Sequence, residues 1–94
     1  MLIGYEYRTF ETGIFCAGTW NVDRKMLADT ADVNVCFQQA LSDADCGDFF
    51  YHIPSQSWCR CMMTDGCIRS GGYADSTLYE IIRMLTLFVW QSQI

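Results

Sequence analysis

Six cysteines are distributed over 94 residues, and that density constrains the chain more than any other feature. Cys16, Cys36, Cys46, Cys59, Cys61 and Cys67 are even in number and irregular in spacing, which fits a disulfide framework made in an oxidising compartment. A single domain of this size buries only about 60 to 65% of the surface its unfolded chain exposes, so its core leaves little margin over chain entropy. Cross-links are the natural supplement. With 51% hydrophobic and 18% charged residues the chain has enough apolar surface to fold rather than stay disordered.

Charge narrows the partners. A net charge of −5 with only six scattered Lys and Arg residues excludes nucleic acid as an expected partner, because phosphate binding rests on basic side chains displacing counterions. The opening MLIGYEYRTF lacks a basic segment leading into an apolar run of about seven or more residues, so it does not read as a secretory leader. A disulfide-bonded chain of this kind is therefore expected to be a processed product or part of a longer secreted protein.

Along the chain, Tyr5, Tyr7 and Phe10 in residues 1–13 follow a loose odd-even pattern compatible with an edge strand. The run from Gly13 to Ala17 is apolar and rich in β-favouring residues, which predicts a strand. Residues 21–30 are charged and lack a period, and read as a connecting loop with at most a helical turn. Val33, Cys36, Phe37, Ala40 and Leu41 then form one apolar stripe at helical spacing. Thr30 or Asp32 supplies the N-cap oxygen, and Ser42-Asp43-Ala44-Asp45 ends the helix by competing for its backbone. So short a helix does not stand alone in water and must pack on a sheet.

Residues 48–52 and 56–62 read as two aromatic-rich strands joined by a hairpin loop at Ile53-Pro54-Ser55. Side chains two apart share a face, so Cys59 and Cys61 point toward the helix while Trp58, Arg60 and Met62 point away. Residues 64–75 read as a glycine-containing loop around Cys67. Leu78, Ile81, Ile82, Leu85 and Val89 fit either a closing strand or a helical stripe, and the pattern does not arbitrate. The apolar run 81–90 includes Arg83 and is well short of the roughly 20 residues a membrane-crossing helix needs, so no transmembrane span is expected and residues 81–94 are a docking candidate. The predicted fold class is α+β: a small disulfide-rich domain, an antiparallel sheet packed on one short helix at about 32–42.

Two residues two apart in a strand lie about 6.6 Å apart with parallel side chains, which disfavours a Cys59–Cys61 bond. Of the roughly 15 pairings six cysteines allow, about 12 survive that exclusion. Helix-to-strand bonding comes next: Cys36 to Cys59 or Cys61, with Cys46 taking the other. Cys16 and Cys67 then close a loop of about 50 residues, worth on the order of 4 kcal/mol in the chain-entropy model.

The competing chemistry is weaker. Cys46, Cys59, Cys61, Cys67 and the lone His52 could supply four zinc ligands, but paired CxxC knuckles are missing and Cys-x-Cys strains a shared metal. A redox pair at Cys59-Arg60-Cys61 would need Arg60 to lower a thiol pKa. Asp43, Asp45 and Asp48 lack the glycine and terminal glutamate of a calcium loop and read as a solvated turn. With one histidine and no phosphate-cradling glycine motif, nothing selects a catalyst, a cofactor or a metal.

Cys36, Asp43, Asp45, Cys46, Phe49, Phe50, Tyr51, Cys59 and Cys61, with Leu78-Tyr79-Glu80-Ile81 as a closing strand, resemble the pattern of a PAN/apple-type domain over about residues 14–82. The family commonly carries a second helix cysteine where this chain has Ala40, and the extra Cys61 stands as its replacement; Cys16 and Cys67 resemble the terminus-joining bond of apple-like members. The resemblance implies an antiparallel sheet cradling one helix in a noncatalytic module that binds protein or carbohydrate, with one such domain at 1–82 and an apolar tail at 83–94.

The leading expectation is thus a secreted or extracellular recognition module with no enzymatic activity. Trp58, Arg60 and Met62, with Phe50 and His52 on the neighbouring strand, are the candidate ligand-binding face opposite the helix; the competing expectation is that other strands or loops cover that face as ordinary packing. From other classes come a small structural subunit docking through its C-terminal tail and a small zinc-binding module.

Overall fold

The computed structural model describes residues 3–85. Strands β1 (Ile3–Thr12), β2 (Phe15–Ala17) and β3 (Arg24–Met26) precede the helix α1 (Val33–Ser42). Strands β4 (Phe49–Ile53), β5 (Trp58–Met62), β6 (Ile68–Ser70) and β7 (Thr77–Leu85) follow it. Five of the strands form an antiparallel sheet in the order β1-β7-β4-β5-β3, and β2 pairs with β6 in a separate two-stranded sheet. The helix covers one face of the large sheet and the small sheet covers the other, which makes a three-layer α+β domain.

The helix begins where expected. Asp32 is the N-cap, its carboxylate accepting a hydrogen bond from the Asn34 amide at 2.8 Å, and Asp43 ends the last turn. Cys36, Phe37 and Ala40 are buried, flanked by Val33 and Leu41. They meet Phe50, Cys59, Cys61 and Ile81 of the sheet. Tyr7, Phe37, Phe50 and Tyr79 close this layer as a ring cluster, with Tyr7 centred 4.6 Å from Phe37 and Phe50 centred 5.0 Å from Tyr79.

Three disulfides pin the layers: Cys36–Cys59, Cys46–Cys61 and Cys16–Cys67. Cys59 and Cys61 do share the helix-facing side of β5 and do go to different partners. On the other side, Cys16 brings β2 down onto Tyr51, Ile53, Met62 and Leu78, with Phe15, Trp58 and Tyr73 packed around them. Strands β4 and β5 are therefore buried on both faces, which accounts for sequences, FFYHI and WCRCM, with few charges.

The structure revises several boundaries. The strand expected at 13–17 spans Phe15–Ala17, because Gly13 takes a left-handed φ of 77° and turns the chain. Residues 21–30 contain strand β3, and the expected loop at 64–75 contains β6; each is three residues long and made by pairing with a distant strand. Residues 77–85 are a strand: Leu78 packs under the small sheet while Tyr79 and Ile81 pack under the helix, a period of two. That strand runs past residue 82, so the expected division between 1–82 and 83–94 falls inside it. The rest of the tail expected to dock, residues 86–94, lies outside the described residues.

Candidate functional site

The stretch Gly18–Arg24 forms a tight loop that presents Trp20. Gly18 has a φ of 129°, and a Cβ there would lie 2.8 Å from the Asp23 Cβ, so both conformation and space demand glycine. Asn21 occupies the left-handed region at φ 63°, which its short polar side chain tolerates. The Asp23 carboxylate accepts from the Thr19 amide at 2.8 Å, the Thr19 carbonyl accepts from the Asp23 amide at 2.9 Å, and the Asn21 amide donates to the Arg24 carbonyl at 2.7 Å. Braced in this way, the loop leaves Trp20 39% and Val22 60% exposed, beside Met26 at 57%.

Two guanidinium groups back the exposed indole. Arg24 stacks on Trp20 with its guanidinium carbon 3.8 Å from the ring centre. It donates from Nε to the Gly18 carbonyl at 3.1 Å, and from Nη1 to the Cys16 carbonyl at 3.2 Å and the Tyr51 hydroxyl at 2.9 Å. Arg60, on β5, is buried between two indoles, 5.7 Å from Trp20 and 5.4 Å from Trp58. Its Nη1 donates to the Cys59 carbonyl at 3.0 Å and lies 3.7 Å from the exposed Asp29 carboxylate, an ion pair of small worth.

Burial lowers the Arg60 pKa from its ordinary value, with the charges of Tyr51 and Asp29 opposing it. Burial also raises the Tyr51 phenol, against the hydrogen bond from Arg24. Beyond Arg60 the aromatic row continues: Trp58 is centred 5.3 Å from Tyr73, Tyr73 5.8 Å from Phe15, and Phe15 5.9 Å from Tyr51. Among the described residues, Arg24 Nη2 and Arg60 Nε and Nη2 have no acceptor. The arrangement offers a flat indole for apolar or C–H contacts, with the partly exposed Arg24 guanidinium against it for a carbonyl, hydroxyl or carboxylate oxygen and the buried Arg60 behind as support.

Of the five residues expected to share a binding face, the structure brings two to this row and takes three away. The hairpin turns through Pro54–Gln56 and a left-handed Ser57, and sets Ile53 opposite Trp58. Phe50 therefore lies opposite Cys61 and His52 opposite Cys59, on the helix side. Both are fully buried there, and Met62 is fully buried beneath the small sheet. The expectation of one open face is corrected: a one-residue change in register reverses every side chain of a strand, and the loop length that decides it was misassigned. Trp58 and Arg60 remain, as the inner members of the row. Trp20, Arg24, Tyr51 and Tyr73 are not among the expected binding residues, although a glycine two residues before Trp20 and an asparagine just after it mark a turn around a tryptophan.

The His52 Nε2 lies 2.8 Å from the Thr30 carbonyl and so donates to it, while its Nδ1 is buried without a partner among the described residues. The cysteines considered as zinc ligands are all oxidised in pairs. Asp43 and Asp45 sit in a solvated turn around Lys25, at 2.7 and 2.9 Å. That contact lowers the Asp43 carboxyl and raises the Lys25 amine. Among the described residues no three His, Cys, Asp or Glu side chains are grouped to hold a metal ion, and no helix is long and apolar enough to cross a membrane. Against this geometry, no protein-family model, curated protein or solved structure matches the chain.

Proposed function

We propose that this chain is a noncatalytic recognition module of the secreted or cell-surface kind, similar to PAN/apple domains, that binds protein or carbohydrate through the Trp20 loop. The observation that carries the reading is that the fold uses a glycine in a conformation closed to other residues, a left-handed asparagine and several backbone hydrogen bonds to hold a tryptophan half out in water. An aromatic anchor immobilised before binding loses little entropy on capture, which is how recognition surfaces gain affinity. Three disulfides suit the oxidising surroundings in which such modules work. The PAN/apple likeness is supported by one helix tied to an inner strand through Cys36–Cys59, with Cys46, past the helix end, bonded to Cys61 where Ala40 leaves the helix without a second cysteine.

The test is to probe the oxidised protein and its Trp20→Ala variant on an array of neutral and acidic glycans and against a displayed peptide library. Capture of at least one ligand class by the wild type, weakened about tenfold or more in Trp20→Ala at unchanged melting temperature, is expected for a hot-spot aromatic. Equal capture by both proteins rules out this loop as the site, and no capture in either format rules out the module reading.

A further inference from the structure

The outer edge of β1 is the longest sheet edge left open among the described residues. β1 is ten residues long and terminal in the large sheet, whereas the opposite edge strand, β3, has three. It contains neither proline nor lysine, the residues that commonly guard an edge against pairing. Beyond Glu80, β7 has lost β4 as a ladder partner, so Ile82–Leu85 and the first residues of β1 form a two-stranded ribbon. Such ribbons are marginal until a third strand joins. The ribbon is also stiffly mounted, since Tyr7 is packed against Phe37, Phe50 and Tyr79 and its hydroxyl donates to Asn34 Oδ1 at 2.5 Å.

We infer that β1 pairs antiparallel with β1 of a second copy of this chain, about a two-fold axis through Tyr7. A register shift between Thr9 and Glu11 ends the regular stretch that begins at Ile3, so the pairing draws on residues 3–9. Alternate residues direct their N–H and C=O groups to the same edge, so opposed residues must have the same parity, and the two-fold can pass through Tyr5, Glu6, Tyr7 or Arg8. An axis at Glu6 sets two glutamates against each other, one at Arg8 sets two arginines, and one at Tyr5 sets Glu6 against glycine and pairs no opposite charges. An axis at Tyr7 sets Glu6 opposite the partner's Arg8 twice, with Tyr5 opposite the partner's Thr9 twice. Charge thus selects one register and one occupant.

Within one chain, Arg8 already meets Glu80 across the ladder at 2.6 Å and remains 64% exposed, while Glu6 has no ionic partner among the described residues. The dimer would place each Arg8 between its own Glu80 and the partner's Glu6. Five residues per strand is less than a standard interface, so association is weak, with a dissociation constant on the order of 100 µM.

Sedimentation velocity of the full oxidised chain from about 10 µM to about 1 mM tests this. The wild type is expected to shift from monomer to dimer, and Glu6→Arg and Arg8→Glu are each expected to stay monomeric. An equimolar mixture of the two variants is expected to recover the dimer, because each then offers the charges the other lacks; recovery also shows that both are folded. Glu6→Gln, which leaves the Arg8–Glu80 pair intact, is expected to weaken association a few-fold. A wild type that stays monomeric throughout overturns the inference. So does a dimer unaffected by either reversal, which would assign the contact to residues 86–94 or another surface, and so does a mixture that fails to associate.

Discussion

The guanidinium carbon of Arg24 lies 3.8 Å from the centre of the Trp20 ring, so the residue that supports the exposed indole is also the one that ties the loop to the core. The two should separate on mutation. Trp20→Ala gives up a stacked but exposed ring and is expected to cost about 1 kcal/mol or less. Arg24→Ala leaves the Cys16 and Gly18 carbonyls and the Tyr51 hydroxyl without their donor, and is expected to cost about 2 to 3 kcal/mol. Urea unfolding of both variants, with disulfides intact, checks the order.

Gly18 is expected to tolerate no side chain. Gly18→Ala must place a Cβ 2.8 Å from that of Asp23 at a φ of 129°, so either the Asp23–Thr19 brace or the backbone gives way. A loss of about 2 kcal/mol or more is expected, together with loosening of the Trp20 loop. Hydrogen exchange at the Thr19 and Asp23 amides would report it, and an exchange rate unchanged from wild type would refute the bracing.

Reduction is expected to add six hydrogens, two for each of the three bridges, and alkylation of the native protein is expected to label no thiol. Among the bridges, Cys16–Cys67 spans 51 residues and Cys46–Cys61 spans 15. Chain entropy therefore predicts that replacing the first pair with alanine costs about 1 kcal/mol more than replacing the second, within a range of about 2 to 5 kcal/mol for either. Thermal unfolding of the two double variants compares them.

Stability should fall at both ends of the pH scale for identifiable reasons. The Ser55 amide and hydroxyl donate to Asp75 at 2.7 and 2.9 Å and hold its carboxyl below its ordinary 3.8; Lys25 does the same for Asp43. A depressed folded pKa contributes stability above pH 3.8 that is lost as pH falls through the lower folded value, and Asp75→Asn is expected to flatten that acid limb. Burial raises Tyr51 above its ordinary 10.0, so its contribution is complete below pH 10 and is lost as pH rises through the folded value. Tyr51→Phe is expected to reduce the alkaline slope, leaving the part due to Tyr7, which burial also raises.

The helix was legible because its signals are local. An apolar stripe at helical spacing, an aspartate cap and a polar stop all lie within about a dozen residues, and each acts on its own neighbours. The helix-to-strand and Cys16–Cys67 bridges were nearly as legible, since alternation along β5 sends both of its sulfurs to one face. Strands β3 and β6 were not. Three residues carry no period, and Arg24–Met26 becomes a strand only because Met62, Cys61 and Arg60 are there to pair with it.

The binding face failed for a related reason. Alternation says which residues of one strand share a side, and that held for Trp58, Arg60 and Met62; it cannot say which residues of the next strand join them. Ser57 in a left-handed conformation lengthened the hairpin connection by enough to put Phe50 and His52 with the cysteines. Composition, cysteine count and local periodicity thus determined that this chain is a cross-linked sheet carrying one helix. Strand register and long-range pairing, whose energies depend on partners far away in sequence, decided that Trp20 stands in solvent above two arginines while three of the five expected contact residues are sealed in the core.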